Sequence, residues 1–200
     1  MTNTVSVFDD IVKSYINRLS SVFTSASSQR IEILSNDLLH AWQNHRNVFI
    51  CGNGGSAANA IHIANDFHYG IGACGPPPQI SGLRVEALPA NSGIITCLAN
   101  DTGYENIYSH QLEVKGSAND VLIVLSGSGN SPNIINALRI AKQLNMRTHA
   151  IVAFDGGQCK NLSENVIHFP ISDMQIAEDT QLIVGHICMQ WLNKNKPRKL

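Results

Sequence analysis

The chain has 200 residues, of which 44% are hydrophobic and 14% are charged. This composition supports one well-buried domain, and the chain is too short for two large ones. Its formal net charge of -1 provides no electrostatic footprint for nucleic acid or an acidic membrane surface. The sequence contains no apolar run of about 18 residues and no signal-peptide pattern at its N-terminus. It therefore predicts a cytoplasmic protein with no nucleic-acid or membrane partner.

Apolar residues recur at helical spacing from residue 6 to about residue 45. The serine-rich stretch SSVFTSASSQ interrupts this pattern and predicts two helices. Both precede the first predicted strand, so the leading helix is as free to pack on a partner subunit as on its own sheet. This arrangement is compatible with a homo-oligomer.

Beyond these helices, apolar strands alternate with helical segments. The predicted strands begin at NVFIC and continue with residues 83–88, VLIVL at 121–125, THAIVAF and VIHF, and the last long helix covers about 173–192. Uniformly apolar strands alternating with helices imply a parallel sheet buried on both faces. The sequence predicts an α/β fold with a doubly wound, mainly parallel five-stranded sheet. We expect one domain, with N-terminal helices (1–45), a core (46–193) and a basic tail (194–200).

The five cysteines, at positions 51, 74, 97, 159 and 188, show no paired spacing. An odd number without a CxxC motif argues against a disulfide framework and against a zinc site made of thiolates. The cysteines are therefore predicted to be reduced residues of the core.

The stretch NVFICGNGGSAANAIHIANDF, residues 47–67, joins a predicted strand to a predicted helix through a glycine-rich turn. Unpaired backbone N–H groups and the helix dipole make the start of such a helix electropositive. Glycines at 52, 54 and 55 permit a close backbone approach, and Ser56 adds a hydroxyl donor. This junction therefore predicts a binding site for an anion, most simply a phosphate group.

A second loop of this kind, SGSGNS at 126–131, follows the strand VLIVL and precedes another predicted helix. Ligands of doubly wound sheets bind outside the carboxyl ends of the strands, so two such loops favour one shared phosphate site. Neither loop carries the lysine of a P-loop or the GxGxxG pattern of dinucleotide-binding proteins. A monophosphate is therefore a better ligand than a nucleotide.

Two histidines and a carboxylate are candidates for chemistry near this phosphate. His62 and Asp66 are four residues apart on one helix face, although a plain surface pair has the same spacing. His186 lies in the apolar run LIVGHICM, where a buried structural histidine is the alternative. Spacing alone brings Asp179 nearer than Glu178 to the helix face of His186. The other histidines, at 40, 45, 68, 110, 149 and 168, are predicted to be surface or structural residues.

Four stretches, in this order, resemble proteins of the sugar isomerase (SIS) domain family: GNGGSAANAIHIAND, CLANDTGY, VLIVLSGSGNSPNIINAL and AFDGGQCKNL. Within this family they are most similar to phosphoheptose isomerases. The resemblance implies a parallel-sheet SIS fold, a homotetramer and a phosphosugar substrate. It also implies the interconversion of sedoheptulose 7-phosphate and D-glycero-D-manno-heptose 7-phosphate, in bacterial surface-glycan heptose synthesis.

The resemblance also implies roles for individual residues. The acid/base pair of the family corresponds to Asp66 and His186. One zinc ion per subunit would be held by His62, Asp66, Glu178 and His186. The contacts to the phosphate and to the rest of the substrate correspond to Asn53, Gly54, Ser56, Asn100, Asp101, Ser126, Gly127, Ser128, Ser131 and Glu178.

The chain departs from the family pattern at three positions. Asp66 stands where the family usually has glutamate, Glu178 where it commonly has glutamine, and Gln175 where it often has aspartate. The shorter carboxylate at 66 requires a closer reacting atom or a shifted backbone. A carboxylate at 178 suits a divalent metal better than an amide does.

The chemistry of an aldose–ketose isomerase is compatible with these residues. One proton moves between two carbons and another between two oxygens, for which a carboxylate and an imidazole suffice, with a metal polarising the carbonyl. Alternatives are a non-catalytic phosphosugar sensor, such as the relative that binds the bacterial replication initiator, or an isomerase for a different phosphosugar. The combination of His62, Asp66 and His186 favours an enzyme.

Overall fold

The structure, a computed structural model, describes residues 6–74 and 77–197. The last three residues of the predicted basic tail lie outside this range. The α-helices are α1 (Val7–Ser21), α2 (Ser25–Gln43), α3 (Gly55–Asn65), α4 (Ser92–Thr102), α5 (Ser109–Lys115), α6 (Pro132–Gln143), α7 (Cys159–Leu162) and α8 (Met174–Lys194). The strands are β1 (Asn47–Gly52), β2 (Arg84–Ala87), β3 (Val121–Ser126), β4 (Arg147–Val152) and β5 (Asn165–His168).

The five strands form one parallel sheet in the spatial order β2-β1-β3-β4-β5, which confirms the predicted architecture. Val48 of β1 pairs with Val85 of β2 on one side and with Val121 of β3 on the other. The chain runs outward from β1 to β2 and then returns past β1 to β3. The loops that leave β1 and β3 therefore diverge, and sheets of this order bind ligands at such a point.

Side chains of the strands alternate between two hydrophobic cores, one on each face of the sheet. In β1, Val48 and Ile50 pack in the core that contains residues of α2, α3 and α8. Phe49 and Cys51 pack in the other core, with residues of α5, α6 and α7. Burial on both faces explains why the strands are continuously apolar in sequence.

The break between the two N-terminal helices has a local cause. The hydroxyl of Thr24 accepts a hydrogen bond from the backbone N–H of Ser27, whose own hydroxyl accepts one from the N–H of Thr24. This reciprocal pair is a capping box, which satisfies two backbone donors that a helix start leaves unpaired. The serine-rich stretch therefore starts α2 instead of continuing α1.

Helix α1 contributes no buried residue, and two of its polar side chains bond to α8 and to the N-cap residue of α8. The phenol of Tyr15 donates to Asp179 Oδ2 at 2.6 Å, and Arg18 Nη1 donates to Asp173 Oδ2 at 2.6 Å. Its exposed apolar side chains are Val7, Phe8, Ile11, Val12 and Ile16. Among the described residues, no helix is long and apolar enough to cross a membrane.

The cysteine prediction is correct for three residues and wrong for two. Cys51, Cys159 and Cys188 are buried and reduced, and burial raises the pKa of the Cys188 thiol to about 12. Cys74 and Cys97 are exposed, because Cys74 lies in an irregular segment and Cys97 lies on the outer side of α4. All five thiols are free.

A partly buried polar contact joins α2 to the sheet. Asp37 Oδ2 lies 3.1 Å from Nε2 of the buried His149, whose Nδ1 lies 3.0 Å from the side-chain nitrogen of Asn165. Burial alone would raise the pKa of Asp37, but the hydrogen bond and charge of His149 hold this pKa below its ordinary value of 3.8. A depressed carboxyl pKa stabilises the fold above the unfolded-state pKa, and this contribution is lost as the pH falls.

We therefore expect Asp37→Asn to lower the free energy of unfolding by about 1–3 kcal/mol near neutral pH. The difference from the native chain should shrink as the pH falls from 3.8 through the lowered pKa of Asp37, because the unfolded chain and then the folded chain protonate this carboxyl. Urea unfolding over a pH series measures this. Glu32→Gln, on the exposed side of the same helix, is the matched control, and a difference that stays constant with pH would contradict the assignment.

Candidate functional site

The loops that follow β1 and β3 lie side by side at the switch point of the sheet. Gly52, at the end of β1, pairs with Leu125 of β3. Helix α3 begins at Gly55 after the first loop, and α6 begins at Pro132 after the second. Both helices therefore present their electropositive N-termini at the same edge of the sheet.

The first loop folds tightly onto the start of α3. Gly54, the N-cap residue, has a φ of 56°, a conformation that glycine adopts without strain. A Cβ atom on Gly52 would lie 2.7 Å from the carbonyl group of Ser56, so only glycine allows this close approach. The buried phenol of Tyr108 donates to the carbonyl oxygen of Gly52. Strand end and helix start are thereby held as one unit, with Ser56 buried inside it.

The serine hydroxyls of the second loop accept hydrogen bonds from the loop itself. Ser126 Oγ accepts from the backbone N–H of Gly129 at 3.1 Å, and Ser128 Oγ accepts from that of Asn130 at 3.3 Å. Ser131, the N-cap residue of α6, makes no side-chain capping bond. A hydroxyl that accepts still carries its own proton, so these serines retain a donor for an anion.

The second loop rests directly on the backbone of residues 155–158. Gly129 has a φ of 69°, and a Cβ atom on it would overlap the carbonyl oxygen of Gly156. The N–H of Gln158 donates to Asn130 Oδ1 at 3.0 Å. The DGG sequence within the fourth motif, AFDGGQCKNL, thus supports the serine loop, a role that spacing alone did not indicate.

Gly129→Ala is expected to destabilise the chain by at least about 1–2 kcal/mol, the cost of a left-handed conformation for a residue with a Cβ atom. The overlap with the backbone of Gly156 should add to this cost and displace the loop. Thermal unfolding and phosphate binding measure the two effects. Gly93→Ala is the control, because a Cβ atom there would meet only the side-chain oxygen of Asn91, at 3.3 Å. Equal stability of the two variants would contradict the proposed packing.

Two asparagines cross-link the loops. Asn53 Nδ2 donates to Asn133 Oδ1 at 2.9 Å, and Asn133 Nδ2 donates to Asn53 Oδ1 at 2.8 Å. Asn133 is 1% exposed, and the phenol of Tyr104 also donates to Asn53 Oδ1. Sequence reasoning singled out Asn53 but missed Asn133, although a polar residue in the apolar first turn of α6 is a detectable signal.

Beyond the first loop, two histidines and an aspartate converge. The Nε2 atoms of His62 and His186 are 3.1 Å apart, and each lies 3.4 Å from Asp66 Oδ2. His62 and His186 are about half exposed, so the group faces solvent. Asp66 opens a π-helical turn, Asp66–Gly70, that continues α3. Such turns are frequent at functional sites.

Helix α8 supplies His186 to this group because it packs closely against α3. A Cβ atom on Gly185 would lie 2.7 Å from the side chain of Ile63, so glycine permits the close crossing. His186 is the next residue and points to the solvent-facing side of that crossing, where His62 and Asp66 lie. Neither the alternative of a plain surface pair nor that of a buried core histidine describes this three-residue arrangement.

The two neighbouring acids of α8 point to different places. The carboxylate of Glu178 occupies the space beside Gly55, where a Cβ atom would overlap it, at the start of α3. Asp179 accepts the hydrogen bond from Tyr15 on α1. The described His, Cys, Asp and Glu side chains that group closely enough to bind a metal are His62, Asp66 and His186, without Glu178. The assignment of Glu178 as a fourth metal ligand stays a prediction.

Asn100 and Asp101 lie at the exposed end of α4. Asn100 Nδ2 donates to Asp101 Oδ1 at 2.8 Å, and the Cys97 thiol donates to Asp101 Oδ2 at 3.6 Å. These bonds are local and do not connect the two residues to the serine loops. Their role in substrate binding stays a prediction as well.

The sequence profile of the SIS domain matches residues 13–153, well over half of the chain. The chain belongs to the SIS domain family. This result confirms the resemblance inferred from the four motifs.

The relatives to which the chain is similar include phosphoheptose isomerases. The chain is 35% identical over 167 residues to phosphoheptose isomerase of Sulfurimonas denitrificans, covering 82% of each chain. It is 32% identical over 177 residues to that of Aneurinibacillus thermoaerophilus, covering 88% of this chain and 87% of the relative. The solved structure of phosphoheptose isomerase from Neisseria gonorrhoeae has the same fold. Its TM-score is 0.82 at 22% identity, with 94% of this chain and 100% of that chain covered.

Proposed function

We propose that this protein is a phosphoheptose isomerase, which converts sedoheptulose 7-phosphate to D-glycero-D-manno-heptose 7-phosphate for bacterial surface-glycan synthesis. The observation that carries the proposal is the convergence of His62, Asp66 and His186 beyond a pair of glycine-serine loops. A phosphate site and an acid/base group on one edge of a sheet are what a phosphosugar isomerase needs. The relatives that carry this name support it.

The phosphate is bound between the two loops. Backbone N–H groups at the start of α3 and α6 and the hydroxyls of four serines donate to its oxygens. The residues of this subsite are Asn53, Gly54, Ser56, Ser126, Gly127, Ser128 and Ser131, and Asn100 and Asp101 complete substrate binding. Asn133 keeps the two loops at a constant separation through its paired bonds to Asn53.

The separation of the two subsites is compatible with a long sugar. His62 lies six residues beyond Ser56 on α3, which corresponds to about 9 Å of helix. At about 1.2 Å per bond, the eight bonds from the first carbon to the phosphorus of an extended heptose 7-phosphate span a similar distance. The carbonyl end of the heptose therefore lies at the histidines when its phosphate lies between the loops.

Proton transfer is performed by Asp66 and His186. One of them removes the proton from the carbon beside the carbonyl and returns it to the neighbouring carbon, and a second proton moves between the two oxygens. His186 Nε2 lies 3.4 Å from Asp66 Oδ2, so the two groups can act on neighbouring carbons of one substrate. The exposed face of the group gives the sugar access.

The residues present fit a zinc ion. Tetrahedral zinc ligands at about 2.0–2.1 Å from the metal lie about 3.3 Å from one another, and the separations within the group are 3.1 and 3.4 Å. We propose that His62, Asp66 and His186 bind it, with Glu178 as a candidate fourth ligand after a change of rotamer. When bound, zinc would polarise the substrate carbonyl as a Lewis acid.

We further propose that the protein is a cytoplasmic homo-oligomer, with a tetramer as the specific expectation. Five apolar side chains of α1 are exposed, and several of them lie on one face of the helix. A second copy of the chain packed on this face would bury these apolar side chains. Because α1 precedes the sheet, it is free to pack on a partner subunit in this way. Sedimentation equilibrium of the chain measures the state.

The experiment that tests the function is incubation of the purified protein with sedoheptulose 7-phosphate, with and without zinc, followed by measurement of aldose formation. Turnover is expected. Saturable binding of the phosphosugar without turnover would instead identify a sensor. Turnover of a different ketose phosphate, without turnover of sedoheptulose 7-phosphate, would show that the proposed substrate is wrong. Fructose 6-phosphate and ribulose 5-phosphate serve as comparison substrates.

A further inference from the structure

A buried amide connects the helix that carries His186 to the phosphate loop. Gln181 of α8 is 1% exposed, and its side-chain nitrogen donates to Ser56 Oγ at 3.0 Å. Its side-chain oxygen accepts from Asn59 Nδ2 at 3.0 Å. Asn59 Nδ2 also donates to the backbone oxygen of Glu178, at 3.0 Å. Every polar atom of the Gln181 side chain therefore has a partner on α3.

This network determines the direction of the Ser56 hydroxyl. A serine hydroxyl has one proton and two acceptor lone pairs. Because Gln181 donates to the oxygen from inside the protein, the proton of Ser56 cannot point at Gln181 and is free to point towards the loop. The bond from Asn59 holds Gln181 in the orientation that makes its nitrogen, and not its oxygen, face Ser56. An oriented O–H group favours an anion over a cation or a neutral donor.

We propose that Gln181 is a positioning residue for the phosphate: it holds Ser56 as a hydrogen-bond donor and links the phosphate loop to the helix of His186. The inference rests on the proposed function insofar as Ser56 contacts the substrate phosphate. Gln181 does not touch the substrate, since it is covered by α3. Its contribution is to binding, through Ser56, and not to proton transfer.

The test uses the full chain and inorganic phosphate as the probe, measured by calorimetry. Gln181→Met keeps the length of the side chain and removes the donor. We expect it to raise the dissociation constant for phosphate by about 5- to 10-fold. In the isomerase assay it should raise KM for sedoheptulose 7-phosphate by a similar factor and change kcat by less than about 3-fold.

A double-variant cycle separates positioning from general loosening. If Gln181 acts through Ser56, adding Gln181→Met to Ser56→Ala should weaken phosphate binding by less than a further 2-fold or so, about the additivity error. Thr180→Val is the control, because Thr180 is an equally buried neighbour whose hydroxyl donates only to the backbone of Ala177. It should lower stability and leave phosphate affinity unchanged.

Additive effects of the two substitutions, or unchanged phosphate affinity in Gln181→Met, would overturn the proposal. The result does not depend on the isomerase reaction. If the native chain binds phosphate in a Gln181-dependent manner but does not convert sedoheptulose 7-phosphate, the positioning role stands and the proposed activity fails. If the native chain isomerises the sugar and Gln181→Met leaves KM unchanged, the proposed activity stands and the positioning role fails.

Discussion

His186→Ala is expected to lower kcat for sedoheptulose 7-phosphate by at least about 10²- to 10⁴-fold, because it removes one of the two groups proposed to move protons. The proposed phosphate subsite lies on the loops after β1 and β3, away from this side chain. The dissociation constant for inorganic phosphate should therefore change by less than about 3-fold. Single-turnover kinetics and calorimetry on the same preparation measure both quantities.

His40→Ala is a suitable control, since His40 is an exposed histidine of α2 with no role in the site. Its kinetics should equal those of the native chain. If His186→Ala retained a substantial fraction of the native kcat, the acid/base assignment would be wrong. If it lost phosphate binding together with turnover, disruption of the α3–α8 packing would explain the loss better than missing chemistry.

Asp66→Ala is expected to abolish both zinc binding and turnover. Its Oδ2 atom lies 3.4 Å from each of the two histidine nitrogens, so it is the shared neighbour of the group. Loss of a ligand should weaken zinc affinity by more than the 10- to 100-fold or so that is typical of losing a partner of a ligand. Competition with a chelating dye and elemental analysis measure zinc directly, without reference to activity.

Asp66→Asn separates the two proposed roles of this carboxylate. Retention of zinc with loss of turnover would assign Asp66 to proton transfer, whereas loss of both would assign it to the metal. Glu113→Ala is the matched control, because Glu113 forms an exposed contact of 2.9 Å with His110 on α5 and, among the described residues, belongs to no group of side chains close enough to bind a metal. Unchanged zinc content and turnover in Asp66→Ala would refute both roles.

The elements of the fold were predictable because their signals are local. Continuous apolar strands such as Val121–Ser126 indicate burial on both faces, and glycine-serine turns at their ends indicate helix starts. The capping box at Thr24 confirms the predicted break between the N-terminal helices. Helix α7, of four residues, was not predicted, because one turn carries too little periodicity to detect.

The candidate site was predictable only in part. Spacing placed His62 and Asp66 on one helix face, but the same spacing occurs in ordinary surface pairs. Helical geometry preferred Asp179 over Glu178 as the partner of His186, yet Asp179 binds Tyr15 on α1 and Glu178 lies at the start of α3. The rotation of α8 about its axis relative to α1 and α3 decides where these two carboxylates lie. The sequence of α8 alone does not predict that rotation.

The amino-acid sequence by itself determined the fold class, the positions of the two glycine-serine loops and the membership of the SIS domain family, because each depends on short stretches whose chemistry is local. Only the tertiary structure decided which distant side chains meet. His186 reaches His62 across 124 positions, and Gln181 reaches Ser56 across 125, because α8 packs on α3 with Gly185 at the crossing. Packing of two helices sets these contacts, and packing depends on the whole core.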